Sequence, residues 1–468
     1  MTVGQHVFLG AALTICLVAP SSAQEPSESW QSDVARSLAP NVPDGFSVAT
    51  VGDIQLTRPI SRLRDRGLQS ALKWVKDASV AVGNLETTLI DPAHFEGYPF
   101  ETNDSLRPIG APAVAKDLAD MGFDIVSRAN NHATDWSIAG MLATDRLLDS
   151  AGIVHAGTGA NRAAARAAAY LDTPDGRIGF LSITSTFEQG ESALPPLGRV
   201  PGRAGANTLR NTRVVLVDHE AMLALRRVLA AQPPGSADFD TSGNRLSLFG
   251  VAYQESDHFG FTYDVNQTDR DEFLRSIREG KLNSDFLILN IHSHEPGNWS
   301  DPPADFISTL AHAAVDAGVD VVMAEGPHHL RGIEVYKGRP IFYSLGNFAI
   351  QFAPQEPVAE DMYEKLEGDP NTLTDAELIQ SRIGVHVERE PWYQSVVAVS
   401  TFAKGTVSKI ELHPITLALN ARMADRGLPH AATGPAARKI LDSLATLSQQ
   451  YRTHIDIEGD VGVIRVAP

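Results

Sequence analysis

Five short segments combine residues that hold divalent cations with residues that move protons. They are Gly52-Asp53, Gly83-Asn84-Leu85-Glu86, Arg128-Ala129-Asn130-Asn131-His132-Ala133-Thr134-Asp135, His292-Ser293-His294-Glu295 and Glu325-Gly326-Pro327-His328-His329. Carboxylate and amide oxygens with imidazole nitrogens suit hard or borderline ions such as Mn²⁺, Zn²⁺, Fe²⁺ or Mg²⁺. Singly, each has an ordinary reading. Gly-Asp after a strand is a turn or a helix cap, and Asn-Asn-His is a hydrogen-bonded loop. Their common placement carries more weight, because each follows a short apolar run.

Those runs are Phe46–Val51, Ser79–Val82, Asp124–Val126, Phe286–Ile291 and Val319–Met323, with a further one at Ile178–Ile183. Helical patterns lie between them, among them Ile138–Ala151 and Ala304–Ala317. Strands alternating with helices predict a layered α/β domain, whose functional groups gather where strands end and loops begin. Residues 187–283 break the rhythm with Pro195-Pro196-Leu197-Gly198 and Gln232-Pro233-Pro234-Gly235, and read as an insertion. Residues 353–392 are acidic, with a helical stretch near Thr374–Gln380. Strand-like runs at Ser395–Phe402 and Thr406–Leu412 and a helix from Pro435 to Gln450 follow.

Lys+Arg 39 against Asp+Glu 57 gives a net charge of −18. That balance argues against nucleic acid as a partner, since phosphate binding needs a cationic footprint. The apolar run Val7–Pro20 ends at Ser21-Ser22-Ala23, which predicts a signal peptide over 1–23 and an exported protein, periplasmic or secreted. Residues 24–45, rich in Ser, Pro and Gln, read as a flexible lead-in. The single cysteine, Cys16, lies inside the signal, so the mature chain has no disulfide, thiolate zinc site or cysteine nucleophile. No other apolar stretch reaches membrane-spanning length. There is neither a Gly-x-Ser-x-Gly elbow nor a P-loop.

Val51-Gly52-Asp53-Ile54, Gly83-Asn84-Leu85-Glu86, Ala129-Asn130-Asn131-His132-Ala133 with Asp135, and Gly157-Thr158-Gly159-Ala160-Asn161 resemble the successive motifs of the CapA family of poly-γ-glutamate capsule biosynthesis proteins. So does the stretch from Gly332 to Phe348, ending Tyr343-Ser344-Leu345-Gly346-Asn347-Phe348. The resemblance runs from about 46 to 350. It implies a four-layer α/β/β/α metallophosphatase-like sandwich of the calcineurin-like phosphoesterase superfamily. The insertion sits within it, and residues 351–468 complete the same domain. It also implies one or two divalent ions at the strand-end loops. By the same resemblance Asp53, Glu86, Asn131, His292, Glu325 and His328 are metal ligands. His132 is the acid or substrate-anion contact, and Asp135 orients it.

Three departures from the family pattern matter. Gln55 stands where the wider superfamily has a histidine, Glu325 replaces a histidine, and His292-Ser293-His294-Glu295 replaces a His-Trp-Gly-type segment. His294 and Glu295 are open as ligands, an acid/base pair or substrate contacts, and His294 is favoured for a catalytic role. Arg58, Arg128 and Asn130 stand close to the ligands as candidate contacts for an anionic substrate, although a salt bridge suits either arginine as well. The expected activity is metal-dependent hydrolysis or transfer on an anionic envelope polymer or peptide. The rival is a non-catalytic polymer-binding component of capsule assembly or export.

Overall fold

The structure, a computed structural model, describes residues 33–34, 36–100, 106–233, 243–351, 356–384 and 389–466. The expected signal peptide, 1–23, lies outside them. The chain divides into two units, Met1–Arg36 and Ser37–Pro468, and the architecture below is that of the second.

The strands that carry or brace the site are, in chain order, β1 (Ser47–Gln55), β2 (Val80–Leu85), β3 (Ile125–Ser127), β4 (Gly176–Thr184), β5 (Phe286–His292), β6 (Val321–Glu325), β7 (Asn347–Ile350), β8 (Gln394–Ala403) and β9 (Thr406–Thr416). A ten-stranded sheet contains β9–β8–β1–β2–β3 as neighbours, with β7 also paired to β1. A six-stranded sheet contains β6–β5–β4. Within each, the pairs β1–β2, β2–β3, β4–β5 and β5–β6 are parallel, so their loops emerge at the same ends.

The inner faces of the two sheets meet. Val48, Val80, Val82 and Ile125 from the first share one buried cluster with Ile178, Phe180, Phe286, Ile288, Val321 and Met323 from the second. Helices cover both outer faces: α1 (Arg66–Lys76), α2 (Ala113–Met121) and α3 (Ser137–Ala151) on the first, α4 (Gln267–Leu282) and α5 (Asp305–Asp316) on the second. This is the α/β/β/α sandwich expected from the sequence. Strands buried on both faces read as unbroken apolar runs, which is why they stand out there.

Two boundaries differ from expectation. The lead-in is pinned at its end, where the Asn41 amide N–H donates to the Asp285 carbonyl and that of Gly45 to the Phe402 carbonyl. The insertion is also narrower than 187–283. A separate four-stranded sheet occupies Asn211–Val265, whereas α4 returns to the main layers through Phe273 and Ile277. The C-terminal strands β8 and β9 widen the first sheet. A helix over Gly434–Ser448 packs into the inter-sheet core through Ile440, Leu441 and Leu444.

Candidate metal centre

All five polar segments meet at one end of the sandwich. Pairing of β1 with β2 sets Asp53 opposite Asn84, and pairing of β5 with β6 sets His292 opposite Glu325. The β1 end is crowded by the crossing chain before β7, whose Gly346 carbonyl accepts from the Asp53 amide at 3.1 Å. A Cβ on residue 52 would stand 1.7 Å from that carbonyl oxygen, so only glycine lets Asp53 reach its place.

Two groups of donor atoms result. Asp53, Glu86 and His328 each offer one atom, all within 4.8 Å of one another, and Glu86, His292 and His294 do the same. Glu86 belongs to both and divides its oxygens between them. Its Oε1 lies 3.2 Å from His292 Nε2 and 4.0 Å from His294 Nε2. Its Oε2 lies 3.9 Å from His328 Nδ1 and accepts from Gln55 Nε2 at 2.9 Å. Asp53 Oδ2 is 3.2 Å from His328 Nδ1, while Oδ1 accepts from Asn84 Nδ2 at 2.8 Å.

Neighbouring amides orient the rings. Asn298 Oδ1 lies 2.6 Å from His294 Nδ1, an arrangement that keeps the proton on Nδ1 and leaves the Nε2 lone pair pointing inward. That Nε2 is 3.1 Å from His292 Nε2, which is also 2.8 Å from Asn131 Oδ1. Three lone-pair atoms, Glu86 Oε1, Asn131 Oδ1 and His294 Nε2, therefore converge on a single ring nitrogen. Asn347 Oδ1 accepts from His328 Nδ1 at 2.9 Å, and His328 holds a left-handed backbone at φ 61.

The electrostatics favour a cation. Asp53 Oδ2, Glu86 Oε1 and Glu325 Oε1 are buried oxygens without a hydrogen bond among the described residues. Burial, and then the Asp53 carboxylate, push Glu86 up to about 8 and Glu325 well above the usual carboxyl range. Burial alone would lower His328, but Glu86 and Asp53 raise it to about 9. His292 is held well below the ordinary imidazole value by burial and then by His294 and His328. Buried carboxyl oxygens crowded together, with the neutral His292 beside them and His328 carrying the countercharge in its place, are a donor set that a divalent ion would satisfy, and the residues present fit one.

His132 faces the same space. Its Nδ1 is 2.7 Å from Asp135 Oδ2 and its Nε2 is 3.3 Å from Asn131 Nδ2. Glu325 joins neither close donor group; its Oε2 accepts from the Leu345 amide at 3.3 Å. Glu295 is occupied within its own loop, accepting from the hydroxyls of Ser185, Thr186 and Ser293.

Two of the three candidate substrate contacts, Arg128 and Asn130, are corrected by their burial. Arg128 is wholly buried, its guanidinium bonded to the Leu85 and Thr87 carbonyls and to Asp145. Arg58 donates to the Ala424 carbonyl and lies 3.8 Å from Asp425. Asn130 is also fully buried, its Nδ2 donating to Asn84 Oδ1 and the Leu85 carbonyl, its Oδ1 accepting from the His132 amide. Burial thus removes Arg128 and Asn130 from any surface that a substrate could reach, whereas Arg58, its side chain 39% exposed, is engaged by Ala424 and Asp425.

Asn84, Asn298 and Asn347 hold site groups and were not expected to. The Gly83–Glu86 motif contains Asn84, so its position was visible. Nothing in the spacing of Asn298 and Asn347 shows that their side chains reach two histidines.

The family model for the bacterial capsule synthesis protein PGA_cap matches residues 47–351, the stretch that contains every residue of this centre. The chain belongs to the PGA_cap family. A PGA_cap relative, the uncharacterized protein y4sH of Sinorhizobium fredii, is 41% identical over 93% of this chain and 96% of its own. The PGA biosynthesis protein CapA of Bacillus subtilis is 24% identical over 74% of this chain and 72% of its own. A probable polyglutamine synthesis accessory protein of Mycobacterium tuberculosis is 27% identical over 57% and 54%.

Proposed function

We propose that this PGA_cap protein is an exported metal-dependent hydrolase or transferase acting on an anionic envelope polymer or peptide, in the service of poly-γ-glutamate or capsule biosynthesis. The observation that carries the reading is the shared carboxylate of Glu86, with Asp53 and His328 on one side and His292 and His294 on the other. Asp53, Glu86, His292, His294 and His328 would hold one or two divalent ions, with Asn131 and Glu325 beside them. A bound ion supplies Lewis acidity toward a carbonyl or phosphoryl oxygen and lowers the pKa of water.

The chain's own residues supply the rest. Asp135 keeps the His132 proton on Nδ1 in the neutral ring, so Nε2, beside Asn131, is the atom that would take up a proton and return it to a leaving group. Asn298 does the corresponding work for His294. Export is supported by the apolar run Val7–Pro20 with small residues after it. No helix among the described residues is long and apolar enough to cross a membrane. The polymer assignment is supported by the names of the Bacillus and Mycobacterium relatives.

The test is metal analysis of protein purified without chelators, followed by γ-glutamyl hydrolase and phosphodiesterase assays of wild type, Asp53→Ala and His132→Ala. Stoichiometric metal with turnover lost in both variants supports the enzyme. Metal-free protein that still binds poly-γ-glutamate establishes the non-catalytic polymer-binding reading instead. Gln55 lends that alternative some weight, since its amide, not an imidazole, meets Glu86.

A further inference from the structure

An aromatic platform adjoins the metal centre and is not used by it. The Trp392 ring packs on His328 at 4.8 Å between centroids, and Trp299 stacks on Trp392 at 5.5 Å with 26° between planes. Trp299 remains 46% exposed, the one exposed tryptophan among the described residues. The Arg389 guanidinium lies over it, 4.9 Å from the ring centroid.

Three features distinguish this place from a chance surface stack. The loop that carries Trp299 is built in position: the buried Arg331 donates to the carbonyls of Ser300 and Gly297 on either side of it. Arg389 also has no carboxylate within ion-pair reach among the described residues, in a chain whose net charge is −18. The neighbouring Glu390 is taken by Lys439 and Gln394. Beside Trp299, edge-on at 6.2 Å, His329 has both ring nitrogens buried without hydrogen-bond partners among the described residues. Polar capacity is thus gathered here that the described residues do not use.

A guanidinium fork seeks a carboxylate, and an exposed indole face seeks an aliphatic or planar surface. We propose that Trp299 and Arg389 form a subsite for a carboxylate-bearing unit with a methylene stem, such as one residue of a γ-linked glutamyl chain whose neighbouring bond lies at the metal centre. This deepens the proposed function and rests on it. The stem lies along the exposed part of Trp299 and the carboxylate takes the Arg389 fork.

The test is titration calorimetry of the full chain with poly-γ-glutamate, for wild type, Trp299→Ala, Arg389→Gln and Arg389→Lys, with Mn²⁺ affinity measured in parallel. Arg389→Gln is expected to weaken polymer binding about tenfold or more, and Arg389→Lys to recover only part of it, since a lysine cannot make the bidentate contact. Trp299→Ala is expected to cost about fivefold or more. Mn²⁺ affinity should stay within about twofold of wild type, because neither side chain is among the donor atoms. Polymer binding equal to wild type in both the Trp299 and Arg389 variants overturns the subsite and leaves the metal reading standing. Equal affinity of wild type for a neutral dextran also overturns it. Wild-type protein that binds polymer through these two residues but takes up no divalent ion sustains the subsite and sinks the metal-dependent reading.

Discussion

His294 Nε2 and His292 Nε2 face one another across 3.1 Å, with Glu86 Oε1 3.2 Å from the second. Asn298 fixes the His294 lone pair inward, so the two rings share at most one proton between them. On the far side of Glu86, Asp53 and His328 repeat the arrangement. The carboxylate thus acts as the common wall of two donor groups.

From that follows a difference in metal count. His294→Ala should remove one group while leaving Asp53, Glu86 and His328 intact, so bound metal should fall below the wild-type content without vanishing. Glu86→Gln should lower occupancy at both. Elemental analysis of the purified variants decides it. Unchanged content in His294→Ala would take this histidine out of the ligand set.

Chelation should destabilise the folded protein. Without a cation, Asp53, Glu86 and Glu325 face one another in a buried space, and two of them hold raised pKa values. A ligand that binds only the native state, at a thousandfold excess over its dissociation constant, contributes about 4 kcal/mol. The thermal midpoint should therefore fall on dialysis against EDTA and recover with added Mn²⁺ or Zn²⁺. A midpoint indifferent to both would speak against a resident ion.

Asp135 is expected to matter for turnover and not for metal. It touches His132 Nδ1 at 2.7 Å and lies in neither donor group. Asp135→Asn replaces an acceptor with a group that can turn its amide toward Nδ1, favouring the wrong tautomer. The expected loss in kcat is on the order of 10²- to 10⁴-fold, with metal content and thermal midpoint close to wild type. A variant that loses metal along with activity would assign Asp135 to the ligand scaffold.

The layers were legible in the sequence because strands buried on both faces leave unbroken apolar runs, and the site because its residues end those runs. Asp53, Glu86, His292 and His328 come together for that reason. Arg128 and Asn130 misled because nearness in sequence to a ligand says nothing of which backbone carbonyls a side chain will meet. Asn298 and Asn347 were invisible for the opposite reason. Their partners, His294 and His328, are reached through loop conformation, to which hydrophobic periodicity is blind. The helix Gln267–Leu282 was assigned to the insertion because the break in pattern before it hid its return to the core.

The last prediction concerns Glu191, which ties the 185–206 segment to the loop of His132. Its carboxyl is wholly buried, accepting from the Thr134 hydroxyl and the Glu188 amide. Burial, and then the Asp135 carboxylate, raise it from 4.5 to about 8. Between those values the unfolded chain has released a proton that the folded chain still holds. The stabilisation is thus complete below 4.5 and is lost as pH rises through about 8. The loss is on the order of 5 kcal/mol across that window. Glu191→Gln keeps an acceptor for Thr134 and carries no such proton, so its stability relative to wild type should climb between pH 5 and 9. Urea unfolding of both proteins at the two pH values measures the gap, and a gap that stays constant would show that Glu191 ionises freely inside the fold.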